Sequence, residues 1–268
     1  MMRTATQPRT DADTGIETPS SPLLRYARWQ FRDFATQRAT ALMLVAVLMM
    51  YPLVAGFFDV SPGLQRFADE VKEGWIYAIL GVVTLLGTLL GTRGIVSEDR
   101  QQGYHRFLFS KPIDAARYYA QALAVQGIGL FAVLGVIALL YAVAIAPVSL
   151  PAVALVAGTF FVLFGGITFF LSTVTRLDWV YTVGTVAVSL WTNYLAYERG
   201  ATWLKPLAWL LPPLRSFGRI VDELGRSLGN IPGGSFVDAL GYAIWPLAYG
   251  LAAFGAGIWV LRKRSMNR

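Results

Sequence analysis

Charged residues along this chain fall into clusters separated by long runs that contain none, and those runs have the length of membrane crossings. A helix needs about 20 residues without formal charge to cross about 30 Å of hydrocarbon. Arg38 to Asp59 leaves 20 uncharged residues, Glu73 to Arg93 leaves 19, Asp178 to Glu198 leaves 19 and Asp238 to Arg262 leaves 23. A longer run, Arg117 to Arg176, holds 58, and Pro147 and Pro151 break it into a hairpin of two helices. The pattern predicts an all-α polytopic membrane protein with six transmembrane helices, near 39–58, 75–93, 117–146, 152–174, 179–196 and 240–261.

Six crossings place both termini on one side, and short cytoplasmic segments retain an excess of Lys and Arg. The terminal side carries 16 basic residues and the opposite side 7, which predicts cytoplasmic N and C termini. Five of those seven (Arg199, Lys205, Arg215, Arg219 and Arg226) share the last outer loop with Glu198, Asp222, Glu223 and Asp238. Residues 1–20 are polar with no apolar core, so they read as a disordered cytoplasmic tail and not as a cleaved secretory signal. No repeat of 20 to 50 residues is present.

A helix is announced at Ser21-Pro22, where serine can cap and proline suits the first turn. Leu24, Ala27, Phe31, Phe34 and Ala35 follow at helical spacing, with Arg25, Arg28 and Arg32 as a second stripe beside Tyr26 and Trp29. The segment 21–38 thus resembles a helix lying flat at the cytoplasmic interface; a positive-inside anchor for the first crossing is compatible with it.

Composition narrows the function classes. Apolar residues make up 55% of the 268 residues and charged residues 15%, against roughly 45–50% and about 25% in soluble domains. With no cysteine and one histidine, His105, the chain lacks the ligands for thiolate or histidine-built metal centres. The +7 net charge sits largely beside apolar runs, as in Arg262-Lys263-Arg264, which suits anionic headgroups of the lipid bilayer better than nucleic acid. No ionisable residue falls within the six runs, which weighs against the main alternative, an ion-coupled secondary transporter. Their polar residues, among them Thr84, Thr88, Gln126, Thr168, Thr182 and Ser189, are expected to bond their own backbone or a neighbouring helix. Gly87 and Gly91 form a G-x-x-x-G spacing that lets helices approach, and Gly165-Gly166 marks close packing or a bend. A membrane-embedded enzyme is a further alternative: Glu98, Asp99 and His105 form its best acid–base cluster, but Glu98 and His105 stand two helical turns apart.

The segment between the second and third runs is the most informative. Glu98 and Asp99 follow Ser97 at the start of a possible helix, Pro112 ends it, and Tyr104, Phe107 and Leu108 share one face. Such an aromatic face either folds onto the bilayer surface or docks in a groove of a soluble protein. The string Glu98, four residues, Gly103, then Phe107-Leu108-Phe109-Ser110-Lys111-Pro112, with Arg117 following, resembles the signature of the ATP-binding cassette (ABC) type-2 permeases. In that family a glutamate, a glycine and a leucine-leucine-serine-x-proline run lie between the second and third of six crossings. Tyr104 stands where a threonine is usual, and Asp114 where a serine or threonine is common.

The resemblance implies the non-catalytic transmembrane subunit of an exporter in the cell (inner or plasma) membrane. It would be paired with a second copy or paralogue and bound to cytoplasmic ABC ATPase subunits. Glu98, Gly103, Tyr104, Phe107, Leu108, Ser110 and Pro112, within a coupling loop at 97–116, would then engage the ATPase. Arg25, Arg28, Trp29 and Arg32 would belong to the family's connector helix. The outer segment 198–239 would form short re-entrant helices ahead of the last crossing, followed by a cytoplasmic tail at 263–268. Its residues Phe217, Ile220, Val221, Leu224 and Leu228 have amphipathic spacing. The chain has no G-x-x-x-x-G-K-[ST] string, so no cofactor is expected on it, and ATP and Mg would sit on the partner ATPase.

Overall fold

A computed structural model describes residues 22–55, 65–92, 115–228 and 234–266, and no strand occurs among them. The longer helices are α1 (Pro22–Asp33), α2 (Ala39–Val54), α3 (Gln65–Thr92), α4 (Ala115–Ala144), α5 (Leu150–Val174), α6 (Asp178–Asn193), α7 (Lys205–Leu210), α8 (Arg215–Leu228) and α9 (Phe236–Met266). Five helical stretches are long and apolar enough to cross a membrane: Ala27–Val54, Trp75–Thr92, Arg117–Ala144, Leu150–Val174 and Phe236–Lys263. The fifth expected crossing, near 179–196, falls on α6, which has only 16 residues and is not among these five. It continues through a π-helical turn, Tyr194–Glu198.

Charge and helix obey different rules, and α3 separates them. It begins at Gln65, ten residues before the apolar stretch at Trp75, and runs through Arg66, Asp69, Glu70, Lys72 and Glu73. Charged residues cost little in a solvated helix, so the charge-free interval marks the part suited to hydrocarbon and not the helix end. A π-helical turn, Phe34–Arg38, joins α1 to α2, with the Ala39 amide donating to the Phe34 carbonyl and right-handed helical angles on both sides. Helix therefore continues from Pro22 to Val54.

The core is a bundle around α5, which packs against α3, α4, α6, α8 and α9. Along α2, Leu42, Ala46, Met50 and Leu53 recur at the spacing of one helix face and point into the core, while Leu44, Val47, Leu48 and Tyr51 point out. Pro52 removes an amide from the α2 ladder. Beside it, the Trp75 indole N–H donates to the Met49 carbonyl at 2.9 Å and ties α3 to α2.

The tightest crossing is that of α5 with α9. A Cβ on Gly166 would collide with the Gly250 carbonyl, and one on Gly250 with the Val162 carbonyl, so these backbones touch with no side chain between them. One face of α9 continues this approach at Gly257, where a Cβ would lie 2.8 Å from the Phe169 ring. Small residues are the means by which membrane helices gain dispersion contact, since lipid offers no hydrophobic drive between them. The α4–α5 hairpin turns at Ile145 and Ala146, whose amides both donate to the Tyr141 carbonyl at 2.9 and 3.2 Å. Pro151 then enters the first turn of α5, where a missing amide costs nothing.

Candidate functional site

The residues expected to engage an ATPase, Glu98, Gly103, Tyr104, Phe107, Leu108, Ser110 and Pro112, lie outside the described residues, as do His105 and the tail 1–20. The structure describes the two helices that frame that segment. Thr92 closes α3, buried, with its hydroxyl donating to the Thr88 carbonyl at 2.6 Å. Arg38 Nη1 donates to the Gly91 carbonyl at 3.3 Å, and Gln126 of α4 packs on Gly91. The start of α2 and the end of α3 are thus joined through Arg38 and Gly91, and Gln126, three turns into α4, packs on the same glycine. The sequence signal for this joint was present in Gly91, but as a spacing motif it named no partner.

Arg25 lies on α1, and its side chain is outside the described residues. Arg28, Trp29 and Arg32 are exposed, Trp29 at 61%. Of the apolar stripe expected on this helix, Phe34 is buried, Ala27 is half-buried, and Phe31 and Ala35 are exposed. Phe34 fits against Gly129 of α4, where any Cβ would meet its ring. Phe34, in the turn that follows α1, thus adds to the packing of α1 along α4, while Arg28 and Arg32 stay exposed.

Gly87 and Gly91 are spent within the chain: a Cβ at Gly87 would meet Leu130 of α4 and Leu42 of α2, and one at Gly91 would meet Gln126. Their close approach serves the packing of α2, α3 and α4, so neither glycine is open to a second copy. The expected bonding is visible for several of the polar side chains but not for Thr84 and Gln126, whose buried Oγ1 and Oε1 meet no hydrogen-bond partner among the described residues. The hydroxyls of Thr88, Thr159, Ser172, Thr182 and Thr185 donate to carbonyls three or four residues back. Thr182 also meets the Thr168 hydroxyl at 3.2 Å across helices.

The stretch from Glu198 to Leu228 folds back on the bundle. After the π-helical turn, Gly200 takes a positive φ of 74°, which L side chains rarely adopt, and reverses the chain. A 3-10 turn (Thr202–Leu204) and α7 follow, and the extended stretch from Leu211 leads into α8. The tip of this hairpin lies beside the middle of two helices: the Ser189 hydroxyl of α6 donates to the Pro212 carbonyl at 2.7 Å, and the Tyr249 hydroxyl of α9 to the Leu210 carbonyl at 3.2 Å. The amphipathic spacing of α8 turns Phe217, Ile220 and Leu224 into the main core. Phe217 stacks on Phe160 of α5 with ring centroids 3.6 Å apart. The basic residues that crowd this loop are partly absorbed by aromatic faces, Arg215 over Tyr197 at 3.9 Å and Arg219 over Tyr242 at 5.3 Å.

The surface of α6 reverses the arrangement of a water-soluble helix. Its buried side is Asp178, Thr182, Ser189 and Thr192, and its exposed side carries Trp179, Val180, Tyr181, Val183, Val188, Leu190 and Trp191. Among the described residues no group of histidine, cysteine, aspartate and glutamate comes together that could hold a metal ion.

The five long apolar helices and the all-helical bundle make this a multi-pass membrane protein. No family model, curated protein or solved structure matches the chain.

Proposed function

We propose that this chain is the transmembrane subunit of an ABC exporter, paired with a second copy or paralogue in the cell membrane and driven by a separate cytoplasmic ATPase. The observation that carries the reading is the string from Glu98 to Pro112 and its place between the second and third long apolar helices. In this reading α6 is the fifth of six crossings. Its polar face turned inward and aromatic face turned outward suit a lipid-facing helix, and they explain why mean hydropathy undervalues it. Both termini are then cytoplasmic, in keeping with the excess of Lys and Arg on the terminal side. The folded-back α7–α8 hairpin, wedged beside the middle of α9, is the re-entrant element ahead of the last crossing.

The joint of Arg38, Gly91 and Gln126 supplies a mechanical rationale. A rigid-body push on the segment 97–113 would reach α2 through the Arg38 bond to the end of α3, and α4 through the packing of Gln126 on Gly91. Purification of the tagged full chain in mild detergent from its native host tests the reading. Recovery of a soluble protein with ATPase activity, lost when Phe107→Asp removes the docking face, supports it. A solitary chain that moves solute down an ion gradient, or that turns over a lipid without ATP, overturns it.

A further inference from the structure

Helix α7 carries apolar side chains on its outside. Leu204 and Ala208 are buried, whereas Pro206, Leu207, Trp209 and Leu210 are exposed, as is Trp203 in the 3-10 turn just before it. Trp209 is 70% and Leu210 72% exposed, so no described residue covers them. Trp209 stacks on Trp245 of α9 with ring centroids 5.1 Å apart, and the Tyr249 hydroxyl holds the Leu210 carbonyl. From Trp245 the exposed apolar surface runs on along α9 through Ile244, Leu240 and Val237. Helix α9 is one of the five long apolar helices, so the surface of α7 is continuous with that of a membrane crossing.

The chemistry of this surface identifies what covers it. A water-filled path would set Leu207, Trp209 and Leu210 against water, which the hydrophobic effect opposes. Pure hydrocarbon fails in the other direction. The indole N–H groups of Trp203, Trp209 and Trp245 donate to no described residue, and each is a donor that needs an acceptor. A phospholipid supplies both, acyl chains for the rings and ester carbonyls for the N–H groups.

Depth agrees with this. Trp245 lies seven residues, about 10 Å, along α9 from Asp238, and side chains on a helix lean toward its N-terminus, which brings the ring nearer that surface. The chain leaves the π-helical turn at Glu198 and returns at Pro212 to the level of Ser189, in the middle of α6. Trp203 and Lys205 therefore lie on the surface side of Leu210, and the order along α7 runs from amphipathic and cationic to apolar, as a lipid runs from head to tail.

We propose that Trp203, Leu207, Trp209, Leu210 and Trp245 seat a phospholipid of the leaflet that flanks the end of α6 and the start of α9. Its acyl chains lie on Leu207 and Leu210, and its ester carbonyls accept from the indoles. The inference rests on the multi-pass membrane class and not on the exporter reading, so either can fail alone.

The chain has no cysteine, so Leu207→Cys and Leu210→Cys can each carry one nitroxide on the full-length protein in phosphatidylcholine liposomes. Both positions are exposed, and elution on size exclusion should stay that of wild type. Each label is expected to collide freely with oxygen and hardly at all with a water-soluble nickel chelate. The indoles are read separately, from the emission lost in Trp209→Phe combined with Trp245→Phe. Bromine near the ester end of the acyl chains should quench that emission more than bromine near the methyl end. Three results would each overturn the assignment. Nickel access at either label would mean a water-filled path, and dipolar broadening removed by dilution with unlabelled protein would mean a second copy. Stronger quenching from the methyl end would place the indoles away from any ester carbonyl.

Discussion

The crossing of α5 with α9 and the packing of α6 solve the same problem in opposite ways. At Gly166 and Gly250 two backbones meet directly, and all the attraction comes from dispersion between surfaces with nothing in the way. Helix α6 instead holds its neighbours through polar groups, Thr182 to Thr168 and Ser189 to Pro212, and leaves its apolar side bare. The first contact has no tolerance for added volume. The second has no tolerance for lost polarity, and its outer face tolerates any apolar shape.

Added volume at the crossing should have the largest effect. Gly166→Leu places its first carbon where the Gly250 carbonyl already sits, and backbone on both sides leaves no flexible side chain to yield. The cost is expected at or above the roughly 3 kcal/mol upper end of ordinary overpacking. The variant should be lost from the monodisperse peak on size exclusion, whereas Gly184→Leu, with open space around its Cβ position, should elute as wild type does. Next comes charge on the bare face of α6. Val188 is 53% exposed near the middle of the helix and its π-helical extension. If lipid covers that face, Val188→Asp costs about 3 kcal/mol of insertion. A glycosylation-site reporter placed after Glu198 would then fail to be modified in an insertion assay. Unchanged modification would mean that α6 does not cross.

These regions also mark what was legible from residue order. The hairpin at Ala146 to Pro151 was readable because two prolines within an uncharged run leave the chain few ways to continue as one helix. The buried face of α8 was readable because Phe217, Ile220 and Leu224 keep a helical period even in a charged segment. The start of α3 at Gln65 was not, since charge spacing measures compatibility with lipid and says nothing of a solvated helical extension. Nor was the continuity of α1 with α2, because a π-helical turn keeps helical angles and leaves no proline or glycine as a signal. Gly165 and Gly166 are adjacent and look alike in sequence. A Cβ on Gly165 would make only an ordinary contact with Thr88, 3.7 Å away, while one on Gly166 has no room at all. For the candidate site the limit is different: the residues from Glu98 to Pro112 carry a resemblance but fall outside the described part of the chain, so their role rests on sequence alone.

The smallest effect probes what holds the α7–α8 hairpin to α6. Ser189 is fully buried, and its hydroxyl donates to the Pro212 carbonyl at 2.7 Å while accepting from Asn193 Nδ2 at 3.3 Å. Ser189→Ala removes both bonds. An orphaned buried carbonyl would cost about 1–3 kcal/mol, but Pro212 also accepts the Leu214 amide at 2.8 Å, and Asn193 keeps its bond to the Ser189 carbonyl at 2.8 Å. Neither partner is stranded, so the loss should stay near the ~1 kcal/mol of one net hydrogen bond. Its consequence should be local: faster amide exchange from Lys205 to Leu214 with no change in α5 or α9, whose contact is made of backbone and apolar surface. Exchange that rises equally across the whole bundle would mean that the hairpin is an integral part of the core, held by Phe217 on Phe160, and that the Ser189 bond is incidental.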